Sequence, residues 1–277
     1  MSPSTEQREN REFASEIKFL VPRSLHEKIR DWARARLSPD PNASSDLGDA
    51  YRITSLYFDT EQFDVFHRKG SYGRSKYRIR RYGPSETAFL ERKLKTRGLV
   101  SKRRSVVRID ELERLANGEP NRDWAGYWYH QRLLARRLAP ICEIAYRRTA
   151  RVSMTGAGPI RLTLDEDIRA VAANRLAFNG AHEGQLLSAS HIILELKYRL
   201  EMPAPFKELV EEFQLKSQPI SKYRLAAVAL GLVTEAAENV TSETVRIDGQ
   251  GVPSAGVALP QASVLNGAGG METQAGA

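Results

Sequence analysis

The 277 residues provide enough chain for one large domain or two small ones with a sizeable core, and a composition 41% hydrophobic and 27% charged is that of a soluble globular protein. The net charge of +8 is unevenly spread: from Glu235 onward five carboxylates face one Arg, a net of −4, so residues 1–234 carry +12 and favour an anionic partner such as a phosphate compound, nucleic acid or an acidic membrane surface. The single cysteine, Cys142, lies in an apolar run, which excludes an intramolecular disulfide and a Cys-rich metal site; no apolar run reaches membrane length and the N-terminus lacks a signal-peptide core, so a cytoplasmic location is the default expectation.

Residues 1–12 are polar and are expected to be disordered. FASEIKFLV at 13–21 alternates with period two and reads as a strand, with Glu16 and Lys18 on one face and Phe13, Ile17, Phe19 and Val21 on the other. After Pro22, LHEKIRDWARARL has helical spacing, with Leu25, Ile29, Trp32 and Leu37 toward a core. Residues 38–48 form a Pro/Ser/Asp/Asn loop, Tyr51–Asp59 a strand, and Glu61–Lys69 a helical turn ending at Gly70.

Three strands follow between Lys76 and Arg108, KYRIRRYG, FLERKLK and SKRRSVVRI, joined by turns at Gly83-Pro84-Ser85 and Thr96-Arg97-Gly98. Arg78 and Arg80 share one face opposite Ile79; Glu91, Lys93 and Lys95 share one opposite Leu90 and Leu94; Lys102 and Arg104 do the same on the third strand. An antiparallel meander sets these cations side by side, and like charges across strands repel. Such a face is either the wet side of an ordinary sheet or the binding face for a polyanion.

Ile109–Asn117 and Asp123–Leu138 read as helices, the second weakened at Gly126 by about 1 kcal/mol relative to Ala. PICEIAYRRTARV at 140–152 is a strand with Glu143, Arg147 and Arg151 on one face and Ile144, Tyr146 and Val152 nearer the other. PIRLTLDEDIRAV at 159–171 sets Arg161, Thr163, Asp165 and Asp167 against Ile160, Leu162, Leu164 and Ile168, with a slip near Asp167. HIILELKYRL at 191–200 sets Glu195, Lys197 and Arg199 against Leu194, Leu196 and Tyr198. FKELVEEFQL is an amphipathic helix, and Ser221 is the N-cap of a last helix containing LAAVALGL. One domain over 13–234 and a flexible tail over 235–277 result.

In strand after strand a carboxylate sits two residues from a Lys: Glu16 with Lys18, Glu91 with Lys93, Glu195 with Lys197. Closing the sheet into a barrel removes its edges and turns the charged side inward. Burying so many cations is costly unless they are paired or solvated, a condition that a water-filled tunnel receiving a chain of phosphates meets. The carboxylates are hard oxygen ligands suited to Mg²⁺ or Mn²⁺.

The segments EIKFLV, ITSLYFDT, YRIRRYG, FLERKLK, YRRTA, RLTLD, ILELK and SKYR, in consistent order from about Phe13 to Leu232, resemble the VTC domain, the polyphosphate polymerase branch of the triphosphate tunnel enzymes. The resemblance implies an α+β fold, an antiparallel β-barrel tunnel with helices packed outside, that extends polyphosphate from ATP with Mn²⁺ or Mg²⁺. Carried over by position, it implies that Lys18, Arg78, Arg80, Lys93, Arg147, Arg161, Lys197 and Lys222 contact phosphates, with Lys102 in addition and Arg148 in place of Arg147 if the register is off by one. It further implies that Glu195 binds the metal, that Ser221 holds a phosphate at the last helix's N-terminus, and that Glu16, Glu91 and Glu143 bind metal or orient cations. The wider superfamily has Glu-x-Glu-x-Lys on its first strand; here Ala14 replaces the first Glu, which lowers the odds of thiamine-triphosphatase or cyclase activity.

Two alternatives stand beside ATP-dependent polymerisation: hydrolysis of inorganic triphosphate, and a non-catalytic polyphosphate or phosphoprotein binder. Nucleic acid is disfavoured, because the cations alternate with carboxylates and no recognition signature is present. Tyr57, Phe58, Trp32, Trp124 and Trp128 read as core before base-stacking groups, the five His are scattered without metal spacing, and Asp165 and Asp167 are read equally as ligands or as a strand end.

Overall fold

An alternating strand with one apolar face needs cover on that side, and its charged side needs water or counter-ions. The computed structural model of the protein describes residues 7–9, 15–41, 43, 47–96, 99–178 and 180–233. In chain order the strands are β1 (Gln7–Glu9), β2 (Ser15–Pro22), β3 (Ser38–Pro39), β4 (Ala50–Asp59), β5 (Ser75–Tyr82), β6 (Thr87–Thr96), β7 (Leu99–Arg108), β8 (Ala139–Thr155), β9 (Gly158–Ala172), β10 (Gln185–Leu186) and β11 (His191–Tyr198). The helices are α1 (His26–Arg36), α2 (Tyr127–Ala135), α3 (Ala204–Glu212) and α4 (Lys222–Ala229), with a 3-10 helix at Ile109–Ala116. The expected tail lies outside the described residues. α2 starts later than the sequence suggests, at Tyr127: Gly126 rests on the Trp124 ring, 2.4 Å from where a Cβ would stand.

All ladders are antiparallel, in the order β1-β7-β6-β5-β4-β8-β9-β11-β2, with β10 beside β9 and β3 beside β8. Gln7–Glu9, within a stretch expected to be disordered, adds an edge strand to β7, since backbone pairing requires no apolar alternation. Among the described residues no ladder joins β1 to β2, so pairing does not complete a barrel. The sheet is nevertheless rolled. Six strand spacings separate β6 from β2 along the path, about 29 Å if flat, yet Lys93 on β6 lies 2.8 Å from Glu16 on β2.

On the convex side α1 and α3 cover β2, β9 and β11, where Phe19, Val21, Leu162, Leu164, Leu194 and Leu196 pack against Ile29, Trp32, Phe206 and Leu209. α2 covers β4 to β7: Tyr129 stands edge-on to Phe58 at 6.0 Å, and the Trp128 indole donates to Ser105 Oγ at 2.8 Å. α4 is the exception, correcting the expectation that every helix packs outside. Its Tyr223 stacks on Tyr57 at 5.6 Å and donates to Asp59, while Ala226 and Ala227 join a cluster with Cys142, Ile144, Ile168, Ala170 and Ile193. Those strand residues are apolar on the concave face, and two alanines let a helix approach them closely.

Candidate anion-binding face

The β-pleat puts every second residue on the concave face, and cross-strand pairing fixes which ones meet. Arg78 pairs with Tyr57 and Glu91, Arg80 with Ser55 and Phe89, Glu195 with Lys18 and Thr163, Lys197 with Glu16 and Arg161, and Arg148 with Asp165. Three groups of contacts result.

In the first, Arg78 Nε donates to Glu91 at 2.6 Å and its Nη1 to the Tyr57 hydroxyl at 3.3 Å, while Lys102 approaches the same carboxylate at 3.0 Å. Arg80 is aimed differently. Its donors go to two hydroxyls, Ser55 Oγ and Tyr146, each at 3.1 Å, so it is oriented without being neutralised by a hydrogen-bonded carboxylate. In the second group, Lys18 lies 3.0 Å from Glu16 and 3.5 Å from Glu195, Lys197 2.7 Å from Glu195, and Lys93 2.8 Å from Glu16. In the third, Asp165 accepts from Arg148 at 2.6 and 2.7 Å and from Lys222 at 2.5 Å. Ser221 caps α4 through the Arg224 amide and accepts from Lys76 at 3.0 Å, which draws a cation absent from the sequence candidates to the helix N-terminus. Arg161 faces the same side but is held at its margin by Asp40 at 2.8 Å and the Tyr51 hydroxyl at 2.9 Å.

Eleven cations (Lys18, Lys76, Arg78, Arg80, Lys93, Lys102, Arg104, Arg148, Arg161, Lys197, Lys222) thus face five carboxylates (Glu16, Asp40, Glu91, Asp165, Glu195). The surplus of six positive charges suits a ligand with several phosphates. Burial raises the carboxyl pKa values, but the surrounding cations outweigh it: Glu16 and Asp165 fall to about 2, and Glu91 and Glu195 lie well below the usual range. Burial raises the cost of charge at Lys76, and Lys18, Lys93 and Arg68 add repulsion, lowering its pKa to about 7. Solvent reaches the Lys76 side chain although protein surrounds its ammonium group, as it does those of Lys18 and Lys93. Groups that touch water while walled by protein line a wet cleft.

Two sequence candidates are corrected. Arg147 points to the convex side, 45% exposed, where it donates to Glu166 at 3.0 Å; Arg148 takes the inward position. Residues two apart share a face, so alternation groups Arg148 with Tyr146 but leaves open which side of β8 is inward. Glu143 is also on the convex side, buried and accepting from the Ala181 amide at 3.1 Å, so it neither binds metal there nor orients the inward cations. Asp167 is an exposed bulge residue with φ 49°, paired with Arg169; the slip read from sequence is this bulge. Asp165, which the sequence leaves as an equal choice between ligand and strand end, is the junction of two cations.

A family model for the VTC domain matches residues 13–230. No curated protein matches the chain by sequence. Among solved structures, a proposed adenylate cyclase from Bacillus halodurans is 14% identical, with 78% of this chain and 94% of that chain covered at a TM-score of 0.47. HpAC1 from Hippeastrum, a proposed adenylyl cyclase described as having a dominant triphosphatase activity, is 16% identical, with 77% and 95% covered at 0.45. The PH1819 protein of Pyrococcus horikoshii is 12% identical, with 73% and 92% covered at 0.38.

Proposed function

We propose a function on the premise that this chain belongs to the VTC-domain family: it transfers the γ-phosphoryl group of ATP to the end of a polyphosphate chain within a tunnel formed by the rolled sheet. A terminal oxygen of the chain forms the new bond to the γ-phosphorus, the bond from that phosphorus to the β,γ-bridging oxygen breaks, and ADP leaves with the electron pair. The acceptor oxygen is already ionised at neutral pH, so no proton need be removed. Catalysis is then positioning and charge stabilisation.

The observation that carries this reading is the state of the carboxylates. Glu16, Glu91, Asp165 and Glu195 are all ion-paired, with pKa values far below neutrality, which makes them poor bases for activating water. Arg80, oriented by hydroxyls alone, is the group best prepared to bind charge developing on the transferred phosphoryl. Arg78, Lys93, Arg148, Lys197 and Lys222 would hold the flanking phosphates, with Lys18, Lys102 and Ser221 around them. Arg161 would act at the margin.

Among the described residues no three His, Cys, Asp or Glu side chains form a metal cage. Glu195 and Glu16 are ionised oxygen donors, a set that fits Mg²⁺ or Mn²⁺ completing its shell with phosphate oxygens and water. Such an ion would supply neutralisation of charge on the β,γ oxygens. ATP with Mn²⁺ is expected to yield polyphosphate on a stained gel, and Glu195→Gln or Arg80→Ala to abolish it. Unchanged synthesis in both variants would overturn the site.

One observation favours a second reading, an inorganic triphosphatase. α4 floors one end of the concave face, and a short substrate fits a cleft closed at one end. Phosphate release from tripolyphosphate without chain growth from ATP would select it. Among the described residues no helix is long and apolar enough to cross a membrane.

A further inference from the structure

Three neighbouring strands change character at the same level. On the concave face β5 runs Lys76, Arg78, Arg80 and then Tyr82; β6 runs Lys93, Glu91 and then Phe89; β7 runs Lys102, Arg104 and then Val106. Arg80, Phe89 and Val106 are direct cross-strand partners, so the charged row ends in an apolar one. Tyr82 and Phe89 meet edge-to-face at 5.4 Å, and Tyr51 flanks Tyr82 at 6.0 Å. This apolar patch is open to solvent: Tyr82 and Phe89 are half-buried, and Val106 is 38% exposed.

Cations lie beside these rings. The Arg104 guanidinium is 5.1 Å from the Phe89 centroid and that of Arg80 5.9 Å from the Tyr82 centroid. A half-buried ring edged by guanidinium planes is the arrangement with which proteins stack nucleobases. Its position narrows the choice of ligand further. Tyr82 lies two residues, about 7 Å, beyond Arg80 along an extended strand. In the opposite direction α4 packs Tyr223 onto Tyr57 and anchors it to Asp59. A triphosphate held on Arg78 and Arg80 with its γ end toward α4 places its sugar and base on the side of this patch.

We propose that Tyr82, Phe89 and Val106 form a shelf on which the purine base of a nucleoside triphosphate stacks, so that the nucleotide is bound with its phosphates toward α4 and its base at the opposite mouth. The inference rests on the proposed phosphate-binding function of the same face and assigns the part of the substrate that phosphate chemistry leaves unrecognised. Phe89 is the principal platform. Arg104 lies over its ring at 5.1 Å and Tyr82 meets it edge-to-face at 5.4 Å, so the base would lie on the solvent side of the pair.

The test is calorimetric titration of the full chain with ATP, UTP and inorganic tripolyphosphate. Phe89→Leu keeps apolar bulk but removes the π-face; it should weaken ATP at least about fivefold, leave tripolyphosphate within about twofold, and shrink the preference for ATP over UTP. Phe89→Trp should restore or strengthen ATP binding. Unchanged ATP affinity in Phe89→Leu overturns the shelf, as does equal weakening of ATP and tripolyphosphate, which would mark Phe89 as structural support. Failure of the unaltered protein to bind tripolyphosphate would instead overturn the phosphate reading beneath it, a result distinguishable from the other two.

Discussion

Arg147 and Arg148 are adjacent in sequence and face Glu166 and Asp165, also adjacent, across the β8–β9 ladder. The pleat sends one pair to each side of the sheet. On the convex side Arg147 is 45% exposed and shares Glu166 with the imidazole of His26, 3.6 Å away. On the concave side Asp165 is fully buried, Arg148 forks onto it with two hydrogen bonds, and Lys222 adds a second cation from α4. The same chemistry serves as a surface clasp in one case and as part of an anion receptor in the other. What separates them is enclosure and a surplus of positive charge.

The largest effect should come from the inward pair. Arg148→Ala is expected to lower phosphoryl transfer about 100-fold, the loss that misplacing the reacting phosphates by about 1 Å produces; a steady-state assay with ATP checks this, and activity near wild type would detach Arg148 from the site. Asp165→Asn tests the same junction from the other side. It leaves two buried cations without their counter-ion, so the free protein should lose about 3 kcal/mol, while saturating tripolyphosphate recovers more stability than it adds to the unaltered chain. Thermal melts with and without ligand measure both.

Acid tests the inward carboxylates as well. Glu16 and Asp165 have folded-state pKa values near 2, below their ordinary values, so their ionisation stabilises the fold. That contribution is complete above the unfolded pKa values and disappears as pH falls through about 2. Unfolding measured from pH 5 downward should lose stability across this window. Glu16→Gln, which removes one of the two groups, should flatten the slope.

The strands were legible because period-two alternation with a charged side survives in β2, β5 to β9 and β11, and so was the identity of most inward cations. Three things were not. Which side of β8 faces inward was ambiguous, since both sides carry arginines and alternation alone does not say which is covered by helices. α4 reads only as a last helix capped by Ser221, and its place inside the roll depends on the match between Ala226, Ala227 and a distant apolar patch on β8, β9 and β11. The hydroxyls of Ser55, Tyr57 and Tyr146 read as core or polar filler, because their role in aiming Arg78 and Arg80 exists only across strands.

Lys76 sharpens the comparison at an intermediate magnitude. Its pKa near 7 makes the free ammonium partly neutral at physiological pH, and a bound polyanion favours the charged form. Tripolyphosphate binding should therefore take up a proton just above pH 7, and affinity should fall as pH rises through that value. Calorimetry in buffers of different ionisation enthalpy reads the uptake directly. Lys76→Arg, which cannot deprotonate in this range, should abolish it.

The smallest expected effect belongs to the outward pair. Arg147→Ala removes a half-exposed partner of Glu166, an interaction of about 0–1 kcal/mol after solvent screening, and touches nothing on the concave face. Transfer activity should stay within about twofold of the unaltered protein at saturating ATP. His26 remains 3.6 Å from Glu166, so the convex carboxylate keeps a neighbour. A large loss of activity in Arg147→Ala, with Arg148→Ala comparatively mild, would mean that the register shift between Ala145 and Arg147 resolves the other way in solution and that the inward and outward residues of β8 must be exchanged.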